Sequence, residues 1–356
     1  MTITIQIEDV FNEYVQNENF SGVGFVKVGN SIIFQKAFGY AHRGWNVLNQ
    51  IDTKFDTASI TKVFTSVAIL KLVEQQLLSL DDKILEILDL GDSTIHKDVT
   101  IYHLLTHTSG IGDDADEEAG ESYEELWKDK PNYSVKETVD YLPQFIYKEP
   151  NFNPGEGCRY NNCAYILLGL IIEKRSGLSY RDFVKQAIFD EVGMKQTDFY
   201  AMDHVVEHAA EHYGSILDEN EKIIGYRKNI YSYPAIGSAD AGALTTVQDL
   251  DLFIRSLKAG KLLSEKWTNE ILTPKENYRK HATVTQLMGY GFQFLAESES
   301  NELIYIQKDG INAGVSCVMN YYPKTDMSII IMANQDTNVW GLAQDVMELI
   351  NGNEKS

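Results

Sequence analysis

The chain has 356 residues, 44% hydrophobic and 23% charged, a composition that suits a globular protein with a large core, spread over roughly two domains. Its 31 Lys and Arg stand against 52 Asp and Glu, a formal net charge of −21. A field of that sign repels nucleic acid and anionic membrane surfaces, so neither is expected as a partner.

The N-terminus, MTITIQIEDV, has no basic start and no uninterrupted apolar run, so no signal peptide is expected there. The longest apolar stretch, Ile166 to Ile172, falls far short of the ~20 residues of a membrane span. Cys158, Cys163 and Cys317 form a sparse, odd set, read as free thiols in a reducing compartment rather than as a Cys158–Cys163 bridge. The expected location is the cytoplasm.

In chain order, a short helix is predicted over Glu8 to Gln16. Strands follow at Gly22 to Val28 and Ser31 to Phe38, flanking Gly29-Asn30 as a two-residue hairpin turn. A helix from about Ser59 to Gln76 carries Ile60, Val63, Phe64, Val67 and Leu70 at helical spacing, with Ala68, Ile69 and Leu72 on other faces, which predicts burial on nearly all sides. From Leu80 to Ile230 helical patterns dominate, at Ile101 to Leu105, Val135 to Leu142, Ala164 to Arg175 and Tyr180 to Phe189. Between them Asp113 to Glu125 holds eight acidic residues and reads as a solvated surface loop. The tail returns to strands at Glu302 to Lys308, Val315 to Tyr322 and Met327 to Asn334, separated by Gly310-Ile311-Asn312 and Pro323-Lys324 as turns, and a helix over Val339 to Ile350 closes the chain. The expected fold is α+β: an antiparallel sheet built from both termini and flanked by helices (1–79 with 235–356), a mostly helical insertion (80–234), and an active site between them.

Three elements carry chemistry. In Ser59-Ile60-Thr61-Lys62, residues three apart share a helix face, so the Lys62 amine lies beside the Ser59 hydroxyl. A serine needs a neighbour to take its proton, and a lysine in an apolar setting loses hydration, which lowers its pKa and lets it serve as base. The amides at the helix start favour an oxyanion. Taken alone, a Ser-x-x-Lys is as easily an N-cap and a snorkelling surface lysine; the apolar neighbours of Lys62 argue otherwise. The second element, Tyr160-Asn161-Asn162, follows the turn-rich Asn153-Pro154-Gly155-Glu156-Gly157. A phenol beside ammonium groups becomes a usable base, and the Asn162 amide can hold a substrate amide or position Lys62. The bland alternative is a half-buried tyrosine with an Asx turn. The third is Lys308-Asp309-Gly310 at a strand end, where Gly310 lets a substrate lie against the strand and Lys308 supplies positive charge; its bland alternative is a charged hairpin corner.

The order Ser-x-x-Lys, Tyr-x-Asn, Lys-x-Gly resembles that of the penicillin-recognising serine enzymes. Phe55-Asp56-Thr57-Ala58-Ser59-Ile60-Thr61-Lys62 is similar to the first motif of class C β-lactamases and their D-alanyl-D-alanine carboxypeptidase and esterase relatives. Leu104-Leu105-Thr106-His107-Thr108-Ser109-Gly110, Phe152 to Asn162, Leu167-Leu168-Gly169, Gly193 to Thr197 and Ala241 to Leu244 resemble further landmarks, from about Val23 to Asn334. The resemblance implies a β-lactamase/transpeptidase-like fold and a serine hydrolase acting through an acyl-enzyme on a D-alanyl peptide, a β-lactam or a small ester. It makes Ser59 the nucleophile, Lys62 and Tyr160 the shared base, and Tyr160 the activator of the deacylating water. It places Asn162 on the acyl amide, Lys308 beside Tyr160 and any substrate carboxylate, and the amides of Ser59 and Ile311 in the oxyanion hole next to Gly310. His107 is a structural landmark. No metal or organic cofactor is required, and the partner is a small-molecule or peptide substrate. Two departures stand out. Asn161 replaces a small or hydroxyl residue, and Asp309 replaces a Thr or Ser whose hydroxyl helps bind a substrate carboxylate; an inward-facing aspartate would repel that anion.

Rival readings are weaker. His204, His208 and His212 recur every four residues and, on a helix, would form a metal-binding stripe, but the short His-x-x-Glu-His pattern reads rather as a solvent-facing helix. No Gly-x-Ser-x-Gly elbow exists. A cytoplasmic esterase or lactonase with little β-lactam activity, and a penicillin sensor that stays acylated, are the functional alternatives; the presence of Tyr160 favours turnover.

Overall fold

The computed structural model describes residues 2–128 and 130–354. Helix α1 (Ile3–Asn17) opens the chain, followed by β1 (Gly22–Val28), β2 (Ser31–Phe38), α2 (Thr61–Glu74), α3 (Cys163–Ser176), α4 (Val247–Lys258), six further strands, β3 (Glu276–Lys280), β4 (Val284–Met288), β5 (Gln293–Glu297), β6 (Leu303–Asn312), β7 (Val315–Tyr322) and β8 (Met327–Ala333), and α5 (Val339–Glu354). The eight strands form one sheet in the order β2-β1-β8-β7-β6-β5-β4-β3, antiparallel at every pairing. This is the expected α+β sheet from both ends of the chain, with β1 paired to β8 from Gly22↔Ala333 to Val28↔Met327. α1 and α5 cover one face around Phe11, which stacks on Phe34 and Phe38 at 4.9 and 5.3 Å, while α2 and α4 cover the other. Strands β7 and β8, buried along their whole length, are apolar on both faces because both faces are covered. α2 is buried almost all round, as its composition requires. Among the described residues no helix is long and apolar enough to cross a membrane.

Several local expectations are corrected. The first helix starts at Ile3: β-branched TITIQI argues for a strand, yet Ile7 and Phe11, four apart, bury one helical stripe in the sheet. Val135 to Leu142 is not an α-helix; a 3-10 segment spans Thr138–Gln144, interrupted by Pro143. Tyr180–Val184 is helical and passes into a π turn, Lys185–Phe189. Gly310-Ile311-Asn312 is no turn: β6 runs through Asn312 and reverses after it. Residues 204–212 form no helix; the following hairpin pairs Tyr213–Leu217 with Ile223–Lys228. The three cysteines are free thiols, as expected.

Candidate active site

Ser59 sits on a strained corner. Ala58–Ile60 form a 3-10 turn and α2 begins only at Thr61. Ala58 has φ 41, a left-handed conformation that persists in a non-glycine residue only where its surroundings impose it. Here Asp56 Oδ1 accepts from the Ala58 N–H at 2.6 Å, and the Ile60 N–H bonds Thr57 O at 3.0 Å. Strand β6 presses on the corner. A Cβ on Gly310 would lie 2.2 Å from Thr57 O and 2.9 Å from Ser59 N, so a glycine is needed for the approach.

Lys62, one turn on, has no solvent exposure. Its ammonium donates to Ser59 Oγ at 3.0 Å, Asn162 Oδ1 at 2.6 Å and the main-chain oxygen of Asp240 at 2.8 Å. Lys308, on β6 and equally buried, reaches the Tyr160 hydroxyl at 3.4 Å. The Tyr160 ring therefore lies between two cations, with Lys62 Nζ 5.0 Å and Lys308 Nζ 4.8 Å from its centroid. Both favour negative charge on the phenol oxygen. Beneath it His107 lies 4.6 Å from the Tyr160 ring, its Nδ1 accepting from the Asn161 N–H at 3.1 Å. Burial, then the charges of Lys308 and Lys62, hold this imidazole well below the usual histidine range. It is a neutral plate beneath the tyrosine.

The acidic loop is not merely solvated surface. Asp113 and Asp114 are buried. Asp113 accepts from the amides of Asn162 and Cys163 at 3.0 and 2.9 Å and so caps α3, the helix that carries the Tyr-x-Asn segment at its start. Asp114 accepts from the Tyr123 hydroxyl at 3.2 Å, and Tyr123 in turn accepts from Asn162 Nδ2 at 2.7 Å. The chain Asp114–Tyr123–Asn162–Lys62 thus fixes which end of the Asn162 amide faces the lysine. Asp113, Asp114 and Cys163 bring ligand-type atoms within 4.8 Å of one another. Asp113 is already committed to two amides, however, and burial pushes the Cys163 thiol well up, away from the thiolate a metal needs. Replacing Tyr123 by phenylalanine frees the Asn162 amide to flip. The expected result is a roughly tenfold fall in kcat/KM for p-nitrophenyl acetate with an unchanged circular dichroism spectrum, the scale of one buried hydrogen bond; an unaltered rate would show that Asn162 needs no such tether.

Glu118, further along the same loop, accepts from the Tyr160 N–H at 3.1 Å and the Tyr278 hydroxyl at 2.6 Å, tying the loop to edge strand β3. Together with Arg279 on β3 and Gln293 on β5, these residues wall a cavity of about 250 Å³ over Ser59, Tyr160, Gly310 and Ile311. Asp309 also lines it, with its carboxylate held by the Trp340 indole N–H at 2.9 Å. Sequence reasoning missed Glu118, Tyr123, Tyr278, Arg279 and Gln293. Among these, only Tyr123 and Glu118 lay in a segment that had drawn notice, and there the density of acids pointed to solvent.

His208 and His212 go to separate neighbours. His208, itself at φ 58, lies 3.1 Å from Asp52, whereas His212 Nδ1 pairs with the Tyr233 hydroxyl at 2.9 Å, and burial lowers the His212 imidazole to about 4. They share no helix face.

The Beta-lactamase family model matches residues 7–349. A penicillin-binding protein from Bacillus halodurans superposes with a TM-score of 0.87 at 32% identity, covering 97% of this chain and 99% of its own. The octameric penicillin-binding protein homologue from Pyrococcus abyssi follows the same fold, with a TM-score of 0.82 at 25% identity over 98% of this chain and 77% of its own. Penicillin-binding protein 4* of Bacillus subtilis is 26% identical over 344 residues, 93% of this chain and 71% of that protein.

Proposed function

Because the chain belongs to the Beta-lactamase family and is a serine hydrolase of that fold, we propose that Ser59 attacks the carbonyl carbon of an ester or amide and carries the acyl group until water releases it. The observation that carries this reading is the 3.0 Å contact between Lys62 Nζ and Ser59 Oγ beside a tyrosine held between two cations. In acylation the Ser59 proton passes to the Lys62–Tyr160 pair and then to the leaving group. The oxyanion meets the amides of Ser59 and Ile311, placed by the approach of Gly310. In deacylation Tyr160, assisted by Lys308, takes a proton from water. Asn162 holds Lys62 and faces the acyl amide. The chain divides into 1–79 with 235–356 and the insertion 80–234, with these groups at the junction. Three free thiols support a cytoplasmic setting.

The net charge of −21 favours esters, lactones and small amides over substrates with a carboxylate. The test is a turnover panel of p-nitrophenyl acetate, nitrocefin and a D-Ala-D-Ala peptide, with acid-quenched samples mapped by mass spectrometry. The expected result is hydrolysis of the ester above the other two and one acetyl group on the peptide containing Ser59. An acetyl group elsewhere, or none during turnover, would sink the assignment.

A further inference from the structure

The sheet deforms at its edge to reach across the pocket over Ser59. Where β3 pairs with β4, Arg279 faces Gln286 and Asn277 faces Leu287, which leaves Tyr278 as the extra residue of a β-bulge. Successive residues of a regular strand point to opposite faces, yet Tyr278 and Arg279 both line the pocket. Bulges beside active sites re-aim side chains in this way. The re-aimed Tyr278 hydroxyl donates to Glu118 on the acidic loop at 2.6 Å. Glu118 also accepts from the Tyr160 N–H at 3.1 Å, and the guanidinium groups of Arg159 and Arg279 flank it at 3.7 and 3.9 Å. A second tie holds the same strand: Glu276 accepts from the hydroxyl of Tyr102, on the short helix Ile101–Leu105, at 2.6 Å.

This crossing lies on the departing side of the substrate. The register carries Arg279 through Gln286 and Leu295 to Tyr305, and Gln293 faces Gln307. The wall therefore borders the Lys308 end of β6 rather than the Asn312 end. Lys308 and Tyr160 stand at that end as well, 3.4 Å apart, where the departing group collects its proton. The space enclosed is about 250 Å³, below the roughly 300–1,000 Å³ of a site for a drug-sized ligand.

We propose that the Glu118–Tyr278 bridge caps the departing-group end of the site and selects substrates whose leaving group is no larger than a single ring. The proposal rests on Ser59 as the nucleophile. The test uses p-nitrophenyl, 4-methylumbelliferyl and resorufin acetates, whose departing phenolates have one ring, two fused rings and three fused rings. All three leave the same acetyl group on the enzyme, so kcat/KM divided by each ester's rate constant with hydroxide isolates the fit of the departing group. In the wild type this normalised value is expected to fall about tenfold or more from the one-ring to the three-ring ester, the scale of discrimination by a pocket wall. Tyr278→Phe keeps the ring and removes the donor; there the three-ring ester is expected to gain about tenfold on the one-ring ester, the scale of a hydrogen bond to a charged group. Equal normalised values in the wild type overturn the size limit, whether or not the variant folds. A fall that persists in Tyr278→Phe and disappears in Tyr278→Ala assigns the limit to the ring alone and overturns the bridge. A fall that persists in both overturns any part for Tyr278. Mapping the acetyl group separates these results from the reading beneath them: with the label on Ser59 each stands without touching the nucleophile, whereas a label elsewhere overturns Ser59 itself.

Discussion

Replacing Ser59 by alanine is expected to lower kcat for every ester and amide the enzyme turns over by about 10⁶-fold, the scale seen when the nucleophile of a cooperating set is removed. The fold should not notice. Ser59 is half-buried, and its hydroxyl has Lys62 as its hydrogen-bond partner. That lysine keeps Asn162 Oδ1 and the Asp240 oxygen after the truncation. The Ala58–Ile60 corner is held by main-chain bonds and by the Asp56 carboxylate, none of which passes through the serine hydroxyl. Initial rates with p-nitrophenyl acetate, paired with thermal melts, check both halves. A variant that melts like the wild type and retains more than about a hundredth of its rate places the nucleophile elsewhere.

Lys62→Met is expected to cost roughly 10⁴ in kcat, the upper range for loss of a general base, while the protein still folds. Methionine has nearly the volume of lysine and suits a helix whose neighbours Val63, Phe64 and Val67 are all buried. Removing a fully buried charge relieves its desolvation penalty. Against that, Asn162 Oδ1 and the Asp240 oxygen each lose a donor, at about 1–3 kcal/mol apiece. The melting temperature should therefore fall by a few degrees rather than collapse. Stopped-flow acylation separates the roles: if the acylation burst disappears, Lys62 acts on Ser59, and if the burst survives with slow release, its role lies in deacylation. A loss in kcat of less than tenfold would leave Tyr160 as the sole base.

The parts of the site that sequence could deliver are those set by local geometry. Ser59 and Lys62 are three residues apart, and a helical turn brings them together wherever it sits. Glycine at 310 is legible as a close approach of backbone, though its neighbours Ile311 and Asn312 suggested a turn where the strand in fact continues. Tyr160 and Lys308 were reachable only through motif order, because 148 residues separate them. What stayed hidden depends on which distant surface comes to rest against which. The edge strand Glu276–Lys280 has the polarity of a solvent-facing loop, as edges often do, and so Tyr278 and Arg279 gave no sign of walling a catalytic pocket. Asp113 and Asp114 look solvated in a run of acids, since nothing local reveals that the start of α3 requires a cap from elsewhere in the chain. The spacing of His204, His208 and His212 imitates a helical stripe, and the absence of a packing partner for such a helix is a tertiary fact.

The seam between β1 and β8 has a consequence for how this molecule is made. β1 lies inside the sheet, between its hairpin neighbour β2 and a strand about 300 residues later, with Gly22 opposite Ala333. On the ribosome β1 and β2 can form their hairpin as they emerge, but the other edge of β1 stays unpaired until the strand about 300 residues later is made. The apolar residues Val23, Phe25 and Val26 wait with it. Sequence separations of this kind slow the search for the native topology and prolong the life of a sticky, half-built sheet. Closure of the sheet therefore waits for β8, and the nascent chain is most prone to aggregate before that strand emerges.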